Sequence, residues 1–206
     1  TLEDVNGKSA INEHVEDGKA WKEHFEINPK LLDYGEKQAE IVDFCIIDQY
    51  GQYSSIIEKG STCQIKAKLY FHEQVKNPIF TITIRNKQGT DITGTNTMFE
   101  GTDIKPVKAG DEYEVSFTQK MTLQGGEYLL SMSCTGFEQG EHTVYHRLYD
   151  VANITVISNI CGSAEDPQNI ELQAKMLRDA GVIVTDSNYQ SARLAAALMS
   201  TLNERG

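Results

Sequence analysis

Gln64-Ile65-Lys66-Ala67-Lys68-Leu69-Tyr70-Phe71-His72 alternates without a break, with Ile65, Ala67, Leu69 and Phe71 on one side and Lys66, Lys68, Tyr70 and His72 on the other. A strand turns successive side chains to opposite faces, so this stretch predicts a strand with one core face and one wet face. The same period recurs on either side of it. At 79–85, Phe80, Ile82 and Ile84 are expected inward and Thr81, Thr83 and Arg85 outward; at 113–117, Tyr113, Val115 and Phe117 inward. At 126–134, Tyr128, Leu130, Met132 and Cys134 are expected inward, leaving Leu129, Ser131 and Ser133 outside. Further strands are read at 39–48, with Phe44 and Ile46 inward, around Ile92 leading into Gly94-Thr95-Asn96-Thr97, and at 143–157. In that last strand, counting back from Ile154 and Val156 as core residues puts Tyr145, Arg147 and Tyr149 together on the exposed face. Turn signals at Asp48-Gln49-Tyr50-Gly51, Glu58-Lys59-Gly60, Asn86-Lys87-Gln88-Gly89, Lys108-Ala109-Gly110-Asp111 and Gly125-Gly126 separate the strands. Period-two segments punctuated this way predict an all-β, immunoglobulin-like antiparallel β-sandwich.

The chain has 206 residues and is 39% hydrophobic, enough for one real core. Its formal charge of −11 disfavours nucleic acid and anionic membrane surfaces, where Lys and Arg must neutralise phosphates. No apolar run approaches the roughly 20 residues that span a bilayer, and the N-terminus lacks a basic-then-apolar signal, so the chain reads as soluble. Cys45, Cys63, Cys134 and Cys161 show no zinc-ligand spacing. Cys63 and Cys134 sit where immunoglobulin domains bridge their sheets, but the tryptophan that packs on such a bridge is absent, because the only one, Trp21, lies far upstream. Reduced, buried thiols acting as small hydrophobes are the expectation, which favours the cytoplasm.

Residues 1–33 are rich in charge and read as a linker, with a short amphipathic patch at 14–25. Trp21 and Phe25 there, at i and i+4, read equally as an anchor for a neighbour or as one greasy stripe on a fraying helix. Beyond Ser158 the pattern turns helical: a first helix from about Glu165 to Ala180 stopped by Gly181, then Val182-Ile183-Val184 as one more strand or a buried linker. A second, Ala- and Leu-rich helix runs through Leu202, capped by Asp186 or Ser187. The expected organisation is therefore a linker at 1–33, a sandwich at 34–158 and a helical extension at 159–206.

The chain contains no GxxxxGK[ST], GxGxxG, GxSxG or HExxH pattern, so no catalytic residue is assigned and the chain is read as a non-enzyme needing no cofactor. His142 and His146 are four apart, but along a strand that separation is roughly 13 Å, too far to share a metal ion. A sharper constellation comes from the strand parities. In an immunoglobulin-like order the strands at 79–85, 126–134 and 143–157 share a sheet, whose outward face presents Thr81, Thr83 and Arg85, then Ser131 and Ser133, then Tyr145, Arg147 and Tyr149. Rings, hydroxyls and a planar cation form a platform on which a sugar can stack and bond and an anion can be gripped bidentately. Asn96 and Thr97 are assigned to its rim, or else to their own turn.

From about Leu32 to Ser158 the sequence resembles the C-terminal domain of the Wzt family, the ATPase subunits of ABC exporters for O-antigen and related cell-surface polysaccharides. The resemblance lies in Tyr34-Gly35-Glu36-Lys37-Gln38-Ala39-Glu40-Ile41, 48–51, Lys59-Gly60, Asn77-Pro78, 84–89, Thr93-Gly94-Thr95-Asn96-Thr97, Ala109-Gly110-Asp111 and Gly125-Gly126-Glu127-Tyr128, in that order. It implies a non-catalytic sandwich that binds the often capped terminus of a lipid-linked cell-surface polysaccharide on the cytoplasmic side, at the inner face of the cell membrane. It further implies a homodimer exchanging its last strand, and partnership with an ATPase domain and a transmembrane subunit. The helical tail has no counterpart in the resemblance. An assembly module working through that tail is the alternative function, and a glycan-modifying enzyme, which needs converging carboxylates, is the third.

Overall fold

The computed structural model describes residues 2–3, 18–102, 104–158, 169–185 and 188–203. Ten strands appear in chain order: β1 Leu2–Glu3, β2 Leu32–Tyr34, β3 Ala39–Ile47, β4 Ile56–Glu58, β5 Thr62–Phe71, β6 Ile79–Asn86, β7 Asp91–Asn96, β8 Glu112–Lys120, β9 Gly126–Glu138 and β10 Glu141–Ile157. Two helices follow, α1 Ile170–Asp179 and α2 Asn188–Asn203. One sheet has the order β1-β8-β5-β3 and the other β2-β10-β9-β6-β7, with β4 joined in parallel to the end of β10. All other pairings are antiparallel, as an immunoglobulin-like sandwich with a C-terminal helical extension requires. The strands at 79–85, 126–134 and 143–157 do share a sheet.

The core forms where the expected parity turns two inner faces toward each other. Ile65, Leu69 and Phe71 of β5 and Val115 of β8 meet Ile82 and Ile84 of β6, Leu130 and Met132 of β9, and Ile154 of β10, each at most 3% exposed. Burying side chains of this size stabilises by roughly 1.5–3 kcal/mol each. Cys45, Cys63 and Cys134 are free and buried, and burial pushes the Cys45 and Cys63 thiols up to about 12 and about 11 and raises that of Cys134 too. Thiols so far from ionising are poor nucleophiles and behave as hydrophobes. Cys161 lies outside the described residues.

Strand β3 departs from clean alternation, because it is covered on both sides. Its register with β5 slips between Ile41 and Asp43, and Asp43, only 8% exposed, accepts backbone N–H groups from Trp21 (3.0 Å), Lys22 (2.8 Å) and Phe44 (2.9 Å). That carboxylate docks a 3-10 turn, Trp21–His24, against the strand edge. Lys68 Nζ lies 3.8 Å from the centre of the Trp21 ring, and the Phe25 ring is 5.7 Å from that of Phe44. Trp21 and Phe25 are thus an anchor on their own domain, and this part of the expected linker lies on the sandwich.

Turn chemistry follows the sequence signals. Asp48 Oδ1 accepts from the N–H groups of Tyr50 and Gln52, and Asn86 Oδ1 from that of Thr90. Helix α1 is capped by Asn169, whose Oδ1 accepts from Leu172 N, and it stops where Gly181 adopts φ +83°. Val182, Ile183 and Val184 form no strand. The expected caps Asp186 and Ser187 lie outside the described residues.

Candidate functional site

The strand registers carry a row of residues straight across the outer face of the five-membered run β7-β6-β9-β10-β2. Asn96 stands opposite Thr81, Thr81 opposite Ser133, Ser133 opposite Arg147, and Arg147 opposite Tyr34. A neighbouring row holds Gly94, Thr83 and Ser131, and Tyr149 stands opposite Leu32 beside it. Four strand spacings make the row roughly 19 Å long. Its middle is low: Ser131 and Ser133 are 4% and 5% exposed and form a floor. Its β10–β2 end is tall and aromatic.

At that end the rings of Tyr34 and Tyr149 stack with centres 6.1 Å apart and planes inclined by 23°. The Arg147 guanidinium carbon is 6.0 Å from the Tyr34 ring centre and 5.4 Å from that of Tyr149. Its Nη1 donates to the Tyr34 hydroxyl at 3.2 Å and reaches that of Tyr149 at 3.5 Å. Among the described residues no carboxylate pairs with Arg147. Arg85 is the opposite case. Its Nη1 meets the Asp150 carboxylate at 3.2 and 3.3 Å and its Nη2 donates to Gly89 O at 2.5 Å. Its Nε lies 2.8 Å from Asp91 Oδ1, an ion pair out of line with the N–H and so not a hydrogen bond. Arg85 is neutralised within the domain, and its guanidinium carbon lies 5.2 Å from the centre of the Tyr149 ring. Arg147 keeps its charge available.

A wide bulge in β10 creates this geometry. Leu148 opposes Met132 and Ala152 opposes Leu130, so Tyr149, Asp150 and Val151 all face Ser131. Asp150 takes φ +55°, its N–H donates to Ser131 Oγ at 2.9 Å, and Ser131 Oγ donates to its carboxylate at 3.3 Å. Extra residues in a bulge re-aim side chains, and here the swelling lifts Tyr149 clear of the floor.

Two expected site residues belong elsewhere. Tyr145 is 2% exposed and sits in the core, its phenol pushed up to about 12 by burial and by Glu138. A single-residue bulge between Val144 and His146 reverses the parity there, so counting back from Ile154 assigns Tyr145 the wrong face. Its ring occupies the space left by Gly136, where a Cβ would come within 2.6 Å of the Tyr145 hydroxyl. Thr97 is 4% exposed; its Oγ1 accepts from Phe80 N at 3.2 Å while its own N–H donates to Phe80 O, closing the end of the β6–β7 ladder. Asn96 keeps its place in the row, with its Oδ1 taken by Phe99 N at 2.8 Å. Arg85, Ser131, Ser133, Arg147 and Tyr149 share the outer side of the sheet, but Ser131 and Ser133, expected exposed, are buried there, and the Ser131 hydroxyl is taken up by Asp150.

Tyr34 is the residue that strand periodicity misses, since a three-residue strand has no period to read. A local signal exists in Tyr34-Gly35: Gly35, at φ +133°, passes so close to β10 that a Cβ would lie 2.4 Å from Tyr145 O. Only glycine allows that approach, and it seats Tyr34 beside Arg147.

Among solved structures, the crystal structure of the C-terminal domain of Wzt is similar with a TM-score of 0.64, at 23% identity over 71% of this chain and 89% of that one. A Niemann-Pick type C2 protein from Japanese carpenter ant is similar at 14% identity over 62% and 98% of the two chains, with a TM-score of 0.43. The CARDB domain of a Pyrococcus furiosus protein in complex with di-metal ions is similar at 14% identity over 57% and 90%, with a TM-score of 0.33. No curated protein matches the chain by sequence. The sequence model of the Wzt C-terminal domain matches residues 31–167, well over half of the chain, which therefore belongs to the Wzt C-terminal domain family.

Proposed function

We propose that this chain is the non-catalytic glycan-binding part of a polysaccharide ABC exporter. It takes the capped terminus of a lipid-linked cell-surface polysaccharide, on the cytoplasmic side of the membrane, and acts with an ATPase domain and a transmembrane subunit. Family membership supports the exporter setting. The observation that carries the binding role is Arg147, a guanidinium with no carboxylate partner among the described residues, set beside the stacked rings of Tyr34 and Tyr149. A sugar ring stacks on such faces, and a carboxylate or phosphate on its terminus completes the charge of Arg147 through two parallel N–H···O bonds. Thr81, Thr83 and Asn96 supply hydroxyls and an amide along the row for the following sugar.

Calorimetric titration with capped and uncapped oligosaccharides tests this reading. Arg147→Ala is expected to cost about 1.5–3 kcal/mol of binding to a negatively capped glycan, the range of a charge-assisted hydrogen bond, and far less with a neutral one. A folded wild-type chain that binds no surface glycan overturns the proposal.

The helical tail favours a second reading, assembly with a protein partner, because Leu172, Met176 and Ile183 are 55%, 63% and 69% exposed. Deletion of residues 159–206 separates the two: glycan binding survives it, and partner assembly does not.

A further inference from the structure

A three-residue edge strand is marginal by itself, yet β2 delivers Tyr34 to the platform. Alternation puts Leu32 and Tyr34 on the outer face and turns Asp33 the other way, opposite Leu148. There Asp33 Oδ1 lies 2.9 Å from Nε2 of His146, a residue only 1% exposed. The other ring nitrogen, Nδ1, accepts the backbone N–H of Ile41 at 2.8 Å. Ile41 belongs to β3, in the opposite sheet. The imidazole therefore joins three strands and both sheets, and its tautomer follows from its partners. Because a backbone N–H can only donate, Nδ1 carries the lone pair and Nε2 the proton that Asp33 accepts. The charged groups near it among the described residues include Asp33 itself, then Lys37, whose Nζ is 3.1 Å from Glu40 Oε1 and 3.5 Å from Asp33, and Glu40, whose other oxygen is 3.1 Å from His72 Nε2.

We infer that His146 is a positioning residue of the binding platform: it touches no ligand, and in its Nε2–H form it holds Asp33, hence β2, hence Tyr34, in register beside Arg147. The inference rests on the glycan-binding reading only for its last link. The seating of β2 is a property of the free protein.

Three variants test it. His146→Leu removes both hydrogen bonds, His146→Gln retains an acceptor and a donor on one side chain, and Asp33→Ala removes the partner from an exposed position, so that at least one disruptive variant folds. Amide hydrogen exchange of residues 32–34 is the first readout. His146→Leu and Asp33→Ala are expected to lose protection there at least tenfold while β6 and β9 keep theirs, and His146→Gln to stay within threefold of wild type. Two-dimensional ¹⁵N correlation of the His146 ring should report the Nε2–H tautomer. Glycan titration is the last readout: Tyr34→Ala is expected to weaken binding several-fold in the wild-type background and to add nothing in Asp33→Ala. Full protection of residues 32–34 in both disruptive variants, or an Nδ1–H tautomer, overturns the inference whether or not a glycan binds. A seated β2 in a wild-type chain that binds no glycan instead overturns the function proposed for the platform.

Discussion

Tyr145 and Tyr149 stand four apart on one strand and have opposite duties. Tyr145 fills the space over Gly136 in the core, so Tyr145→Ala is expected to destabilise by about 3–5 kcal/mol, as truncation of a buried aromatic does. Tyr149→Ala is expected to leave the urea midpoint nearly unchanged and to weaken glycan binding by about 0.5–1.5 kcal/mol, the worth of one stacked ring. Equal stability losses for the two variants would contradict this division. Thr97 and Asn96 divide in the same manner. Thr97→Val strands the buried N–H of Phe80 and is expected to cost about 1–3 kcal/mol of stability without touching binding, while Asn96→Ala frees a turn at the surface. The inward or outward sense of most of these residues was legible from period two alone. Tyr145 was not: the two extra residues between Leu148 and Ala152 leave the parity counted from Ile154 unchanged back to His146, but Tyr145 is itself the residue inserted between Val144 and His146. A bulge leaves no mark in composition. The one local sign, Gly136, which stands opposite Thr143 next to the bulge, is a vacancy whose occupant only the fold reveals.

Elements differ in how they announce themselves. Strands β5 and β6 alternate because one face is core and the other solvent, so sequence and burial coincide position by position. Strand β3 is buried on both faces and its sequence blurs. Strands β2 and β4 have three residues each and owe their existence to β10, not to their own propensity. For β2 the tether is a hydrogen bond from the His146 ring to a carboxylate, and that has a consequence in acid. Burial raises the Asp33 carboxyl, but the His146 and Lys37 contacts outweigh it and hold it below its ordinary 3.8; the His72 and Lys37 hydrogen bonds hold Glu40 below its ordinary 4.5. A carboxylate depressed in the folded state stabilises above its unfolded value, and that contribution disappears as pH falls through the folded one. Stability is therefore expected to drop below about pH 4 in part through this pair, modestly, since Asp33 is 42% exposed. Denaturant midpoints between pH 6 and pH 3 check it: Asp33→Asn should start lower at pH 6 and fall less steeply, and parallel curves for variant and wild type would remove Asp33 from the account.

At the scale of the whole molecule, the open question is what covers the edges. Strand β10 is long enough to lend its end to a neighbour, yet here that end pairs within the chain, Val156 with Gly126 of β9 and with Ile57 of β4. The exposed ladders are β7, which has no second partner among the described residues, and most of β8, where β1 meets only Glu114 and Val115. Unpaired N–H and C=O groups along a strand invite another chain, and isologous pairing across a twofold axis satisfies two edges at once. Helix α1 adds an apolar stripe, with Leu172 and Met176 one turn apart and both exposed. We expect a homodimer at micromolar concentration, held by sandwich edges or by the tail. Sedimentation of the full chain and of a form ending at Ser158 distinguishes the two. If edge pairing or exchange of the β10 end holds the dimer, both forms sediment as dimers, and glycan affinity per chain is unchanged by the deletion. If the stripe on α1 holds it, only the full chain dimerises, and Met176→Glu, which places a charge in that stripe, should dissociate it without altering the sandwich. A monomer in both cases would mean that the β7 and β8 edges are protected by their own twist and polarity, and that the edge-pairing argument fails.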